Sequence, residues 1–146
     1  MSLINDNVSV ENFVKAKFPT AITFKDVPKK PFAHMFVIRF QNDSRESETA
    51  YHVRTDREYQ VIYFGADVPD VLAQMDALSK SLYQTQCIPI NGSLRYIRVE
   101  SFSFSQPFLT ENDLYACIGV LSTQVREARD QATYEKIMHV YARYAN

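Results

Sequence analysis

The clearest pattern in the chain lies between Arg57 and Tyr83, where an alternating run, REYQVIYF, meets a turn, GADVPD, and then an amphipathic stretch. Tyr59, Val61 and Tyr63 fall on one side of the run and Gln60, Ile62 and Phe64 on the other, so period-two spacing with β-branched and aromatic residues predicts a strand. Both of its faces are largely apolar, which predicts a central position in a sheet. Gly65 ends it. Asp67 is placed to cap a helix, Pro69 is tolerated in the first turn, and Asp70 sits near the positive end of the helix dipole. Val68, Val71, Leu72, Met75, Leu78 and Leu82 recur at helical spacing, while Gln74, Asp76, Ser79 and Lys80 take the opposite side. That apolar stripe predicts a helix lying on a sheet.

The flanking segments extend the pattern. Ser9 is positioned to cap a short helix with Val10, Phe13, Val14 and Phe18 inward, ending before Pro19. Residues 21–24 read as a brief strand, and Pro28, Lys29, Lys30 and Pro31 as an exposed connection. Met35, Val37 and Arg39 alternate with Phe36, Ile38 and Phe40 as a strand, and residues 41–48 form a polar run rich in turn formers, read as a hairpin tip that projects from the body or forms an ordinary loop. The returning arm passes Tyr51 and Val53 with a break near Thr55 and Asp56. Residues 86–90 form a short strand, which Pro89 places at an edge. Asn91-Gly92 predicts a type I′ hairpin turn into a strand over 94–104. After a polar break at 110–113, residues 114–121 read as a second central strand that fades into 122–126. From Asp130, the spacing of Tyr134, Ile137, Met138, Tyr141 and Ala145 predicts a third helix, packing on this domain or on a neighbouring subunit. Helix, strands, helix, strands and helix in that order predict an α+β fold. Its sheet is antiparallel or mixed, with helices mainly on one face, in a single domain over 1–146.

Composition adds bounds. With 46% hydrophobic and 13% aromatic residues there is ample core material for one domain. Sixteen basic and 17 acidic side chains leave a net charge of -1, so no global field favours sequence-specific nucleic-acid binding or an anionic membrane. No apolar run is long enough to span a bilayer, and residues 1–12 lack the apolar region of a signal peptide, so the chain reads as soluble. Cys87 and Cys117 read as two buried free thiols in a reducing compartment.

Candidate chemistry is sparse. Three glycines form neither a GxxxxGK[ST] nor a GxGxxG loop. His34, His52 and His139 lack metal-site spacing, although pairing of the proposed hairpin would bring His34 near His52, a weak signal without a third ligand. Cys117 lies in an apolar strand where burial raises a thiol pKa, and Asp56, Glu58, Glu100, Glu111 and Asp113 offer carboxylates without a distinctive spacing. The aromatic residues alternate with apolar ones and no basic interleaving, which predicts core packing and not base stacking. No cofactor, metal or catalytic residue is assigned, and the expectation is a protein that is not an enzyme.

Several elements together carry a resemblance: the early helix, R-x-x-R-E-Y-x-V-x-Y-F over 54–64, V-x-x-V-L-x-x-M-x-x-L in the following helix, and D-L-Y-A-C-I-G-V-L over 113–121. This succession, spanning about 10–129, resembles the tail terminator, or tail completion, proteins of long-tailed bacteriophages and prophages. The resemblance implies a virion protein assembled in the bacterial cytoplasm. It would form a ring of its own copies, commonly a hexamer, on the head-proximal end of the tail tube. There it would stop polymerisation and join tail to head, with the tube protein and head connector as partners. Assembly contacts are then expected at the polar tip (Asn42, Asp43, Arg45, Glu46, Glu48), the exposed edge (Ile88, Ile90) and the acidic turn (Glu111, Asp113). Another head-to-tail joining component is the nearest alternative. A small ligand-binding or enzymatic domain, with a pocket lined by Tyr59, Tyr63, Phe102 and Phe104, is the alternative from a different class.

Overall fold

The computed structural model of the protein describes residues 3–128. In chain order its elements are α1 (Leu3–Lys17), β1 (Ile22–Phe24), β2 (Met35–Ser47), β3 (His52–Gly65), α2 (Val68–Thr85), β4 (Cys87–Pro89), β5 (Tyr96–Phe104), β6 (Phe108–Leu109) and β7 (Tyr115–Ala128). The seven strands form one sheet in the order β1-β2-β3-β7-β5-β4, with β6 also on β7. β1 runs parallel to β2 and every other pairing is antiparallel, so the sheet is mixed and the fold is α+β.

Period-two alternation sorts the side chains into two layers. Tyr59, Val61 and Tyr63 of β3 join Phe36, Ile38, Ile97, Phe102, Cys117 and Leu121 beneath both helices, which contribute Val10, Val14, Val71, Met75, Leu78 and Leu82. The opposite face holds a smaller cluster of Met35, Val37, Ile62, Phe64 and Ala116, to which neither described helix contributes. The helices therefore pack on one face, as the pattern predicts. β3 lies between β2 and β7, and β7 between β3 and β5, so both strands read as central are central.

α2 follows its sequence signals. The Asp67 carboxylate accepts a hydrogen bond from the Asp70 N–H at 2.8 Å, and Gln86 ends the helix with a positive φ of 65° and its N–H on the Leu82 carbonyl. Leu72 is 41% exposed, because it sits about 100° round the helix from Val71 and outside a narrow stripe. Gly119 of β7 lies under this packing. A Cβ there would meet the Phe102 ring at 2.7 Å and Met75 Cε at 2.9 Å.

Elsewhere the structure corrects the sequence reading. α1 begins at Leu3, and Ser9 is inside it instead of capping it. Ser9 Oγ donates to the Asn5 carbonyl and accepts from the Asn91 N–H. The polar run at 41–48 is mostly strand. β2 continues to Ser47 after an irregularity between Phe40 and Asn42, β3 is unbroken through Thr55 and Asp56, and the turn lies at 48–51. There Thr49 Oγ1 accepts from the N–H groups of Tyr51 and His52. His34 and His52 are at opposite ends of this hairpin, about 40 Å apart at the rise of a strand, so pairing separates them.

At Asn91-Gly92 only the glycine takes positive φ, 75°. The Ser93 N–H bonds the Ile90 carbonyl and the Ile90 N–H bonds Arg95. Glycine in the third position of a four-residue turn matches type II, not type I′. The acidic turn at 110–113 closes a β6–β7 hairpin that is too short to show a pattern. Its Asp113 has φ 61°. The third helix expected from Asp130 lies outside the described residues.

Candidate assembly surface

β2, β3 and β7 leave the body together as a three-stranded arm. Their registers place Asn42, Glu58 and Ser122 in one row, Ser44, Asp56 and Gln124 in the next, and Glu46, Arg54 and Arg126 in the third. β1 pairs β2 only at Met35, Phe36 and Val37, and β5 accompanies β7 no further than Gln124. Among the described residues, no strand lies beside β2 beyond Val37 or beside β7 beyond Gln124 on its β5 side. Beyond those positions, β2 and β7 are the lateral strands of the arm among the described residues.

The outer surface of the arm carries a charge network. Arg54 contacts Glu46, lies 3.2 Å from Asp56 and reaches Glu48 at 4.0 Å, while Arg126 Nε is 2.7 Å from Glu48. Exposed pairs of this kind contribute about 0–1 kcal/mol each, so the network sets the charge order of the surface more than its stability.

Beneath the arm the chemistry differs. Arg57 and Asp6 are almost fully buried and form an ion pair across 51 positions. Asp43 Oδ1 lies 3.8 Å from Arg57 Nε, and Thr123 Oγ1 donates to the Arg57 carbonyl. Burial pushes the Tyr59 phenol up to about 12, so it stays protonated. Burial also raises the Asp6 carboxyl above its ordinary range, with Arg57 pulling the other way.

The folded protein therefore holds the Asp6 proton more tightly than the unfolded chain. Its stabilising contribution is complete below the ordinary carboxylate pKa and is lost as pH rises through the raised value. Urea unfolding of the wild type and Asp6→Asn at pH 3 and pH 7 is expected to show the wild type relatively more stable at pH 3. The same difference at both pH values would refute the assignment.

A second polar group ties β3 to α2. Tyr63 donates to Asp70 Oδ2 at 3.2 Å, and His34 Nδ1 lies 3.0 Å from the same hydroxyl. Burial and the Asp70 charge push the Tyr63 phenol upward, so it acts as a donor and not as a nucleophile. Cys87 and Cys117 are free. Cys117 is buried, which raises its thiol pKa, whereas Cys87 is only half-buried.

The expected contact residues divide. Asn42, Arg45, Glu46 and Glu48 are exposed on the arm, as are Glu111 and Asp113 at their turn. Asp43 turns toward Arg57. Ile88 and Ile90 are buried at 0% and 2% exposure: β4 is the last strand of the described sheet, but Ile88 within it and Ile90 just after it are part of the core and not of an exposed edge. Arg54 and Arg126 were missed, although alternation of charge along 54–58 and at 126–127 was their available signal. Asp6 has none, since only the fold brings it to Arg57.

Tyr59, Tyr63 and Phe102 lie in the core and Phe104 packs against it, with tilted ring contacts of Tyr63 on Phe36 at 4.7 Å and of Phe102 on Phe104 at 6.0 Å; of the four, Phe104 lines an open cavity, with Ser103, Ser105, Ile118 and Val120. The opposite sheet face has an open cavity of about 350 Å³, floored by Ile62, Phe64, Ala116 and Ile118, with Lys29 and Glu111 among its lining residues. Among the described residues no group of three His, Cys, Asp or Glu side chains is placed to hold a metal ion, and no helix is long and apolar enough to cross a membrane.

No family model and no curated protein matches the chain. Among solved structures it is similar to a chain from the virion of a native gene transfer agent particle, at 13% identity and a TM-score of 0.42, over 78% of this chain and 84% of that one. A likeness of that size carries no argument about what this chain does.

Proposed function

We propose that the protein is a structural, non-catalytic virion subunit of the tail terminator type. In this reading its copies form a ring on the head-proximal end of a tail tube, end tube growth and present a surface to the head connector. The reading rests on the sequence resemblance over 54–64, the α2 stripe and 113–121. The observation that carries it is the long three-stranded arm of β2, β3 and β7 with its exposed charge network. An arm extending from the body suits contact with a neighbouring copy, and a cyclic assembly makes such contacts without generating an unlimited fibre.

Native mass measured against concentration, with electron microscopy of any large species, tests this. A discrete ring of several 16.9 kDa subunits, able to stop growth of a tail tube, is expected. A protein that stays monomeric at every concentration and leaves tube growth unchanged would overturn the reading. The apolar cavity is the observation favouring a ligand-binding domain instead, and saturable small-molecule binding by a strict monomer would support that alternative.

A further inference from the structure

The end of the sheet opposite the arm is polarised from side to side. One row of the ladder runs Ile22, Met35, Phe64, Ala116 and Phe108 from β1 to β6, four strand spacings or about 19 Å. Its middle members belong to the cluster on the face to which neither described helix contributes. Both terminal members are exposed, Ile22 by 50% and Phe108 by 45%.

Charge sorts to the two ends of this row. After β1 comes the loop 27–31, in which Lys29 and Lys30 are exposed and Pro28 and Pro31 fix the backbone around them. Asp26, the one acidic residue between β1 and β2, lies 3.4 Å from Arg39, so its charge is met within the chain. After β6 comes the turn 110–113, where Glu111 and Asp113 are exposed. The Asp113 N–H bonds the Thr110 carbonyl and the Thr110 N–H bonds the Leu114 carbonyl at 2.8 Å, which holds the turn in one shape. Lys29 and Glu111 stand on the walls of the same open cavity, over a floor that includes Ile62, Phe64 and Ile118. Among the described residues, no ion pair joins Lys29 or Lys30 to Glu111 or Asp113.

Building on the ring reading, we propose that the ring closes at this end of the sheet, the acidic turn 110–113 of one copy, with Phe108 and Leu109, seating against the basic loop 27–31 of the next.

Charge complementarity selects a second copy as the occupant. Each chain carries a basic surface at one end of the row and an acidic surface at the other, so unlike ends attract and like ends repel. That arrangement is heterologous and runs head to tail, as a ring requires. The apolar residues agree. Phe108 and Leu109 on the acidic side would be covered by Ile22, Val27 and Phe32 on the basic side, all of them exposed, and Phe32 is itself braced edge-on against Phe24 at 5.8 Å. Apolar side chains gathered inside a charged rim have the composition of a contact surface. Because prolines fix one lip and backbone hydrogen bonds the other, little ordering is lost when they meet.

Charge reversal tests the pairing by native mass against concentration. Lys29→Glu/Lys30→Glu, which makes both ends acidic, and Glu111→Lys/Asp113→Lys, which makes both basic, are each expected to raise the concentration needed for rings by about tenfold or more. The variant carrying all four substitutions exchanges the signs of the two ends, and its rings are expected to return to the wild-type range. Lys29→Gln/Lys30→Gln removes charge without reversing it and should weaken the rings less than the double glutamate. All four positions are exposed, so each variant should keep the wild-type urea midpoint.

Rings formed equally well by every variant would overturn this contact and leave the ring reading standing. The same holds if both reversals weaken the rings and their combination fails to restore them. A wild type that closes as a dimer would overturn it as well, because both lips would then meet in one isologous contact. A strict monomer that leaves tube growth unchanged would remove the contact together with the ring reading, and saturable binding of anilinonaphthalene sulfonate by that monomer would assign the cavity to a small ligand.

Discussion

Arg57→Ala is expected to lower the unfolding free energy by about 3–5 kcal/mol at neutral pH, the usual cost of leaving a buried charge without its partner. Asp6 is 0% exposed and receives the Arg57 guanidinium directly, and Asp43 lies 3.8 Å from the same group. Removing the arginine leaves the buried Asp6 carboxylate and the half-buried Asp43 carboxylate without the cation they share. The loss should shrink on acidification, because Asp6 can then take up a proton, in line with the direction in which burial already moves it.

Urea unfolding at two pH values measures both effects. Asp6→Leu/Arg57→Met should be far less harmful than Arg57→Ala alone, since replacing both charges by apolar groups removes the desolvation penalty with the pair. A loss below about 1 kcal/mol for Arg57→Ala, the range of an exposed pair, would show that the pair is not desolvated. The tie also has a positional role: it holds the first turns of α1 against the root of the arm, so amide exchange in α1 should rise in the same variant.

Gly119→Ala is expected to cost about 1–3 kcal/mol through overpacking. The added Cβ would lie 2.7 and 2.8 Å from two Phe102 ring carbons and 2.9 Å from Met75 Cε. Met75 ends in a flexible thioether and can yield. The Phe102 ring is less free, with its backbone N–H bonded to the Tyr83 hydroxyl and its ring against Phe104.

Phe102→Leu should therefore be less damaging in the Gly119→Ala background than in the wild type, a coupling that a double-mutant cycle reads directly. Simple additivity would mean that the sheet shifts to admit the methyl group and that the contact with Phe102 is not the obstacle.

β3, β7 and α2 were legible because each repeats a period long enough to exceed chance, and each period specifies a buried side. The same logic explains the failures. Residues 41–48 are polar on both faces because the arm is largely solvated there, so no apolar alternation marked them as strand, and backbone pairing with β3 was decided by register alone. Ile88 and Ile90 showed an apolar alternation whose direction only the position of α1 and α2 could settle. β1 and β6, with three and two residues, are too short for any period to register.

The assembly surface divides along the same line. Glu46, Glu48 and Asn42 could be picked from the sequence as exposed and polar. That they sit on a long arm, in rows with Arg54 and Arg126, follows from the pairing of three strands. The sequence by itself determined the periods, the helix cap at Asp67, the two central strands, the α+β class and the sidedness of the helices, because these depend on residues within one or two turns of each other. The tertiary structure alone decided the arm and the burial of Asp6 against Arg57. These depend on which distant backbones and charges share a water-free space, and local spacing carries no record of that.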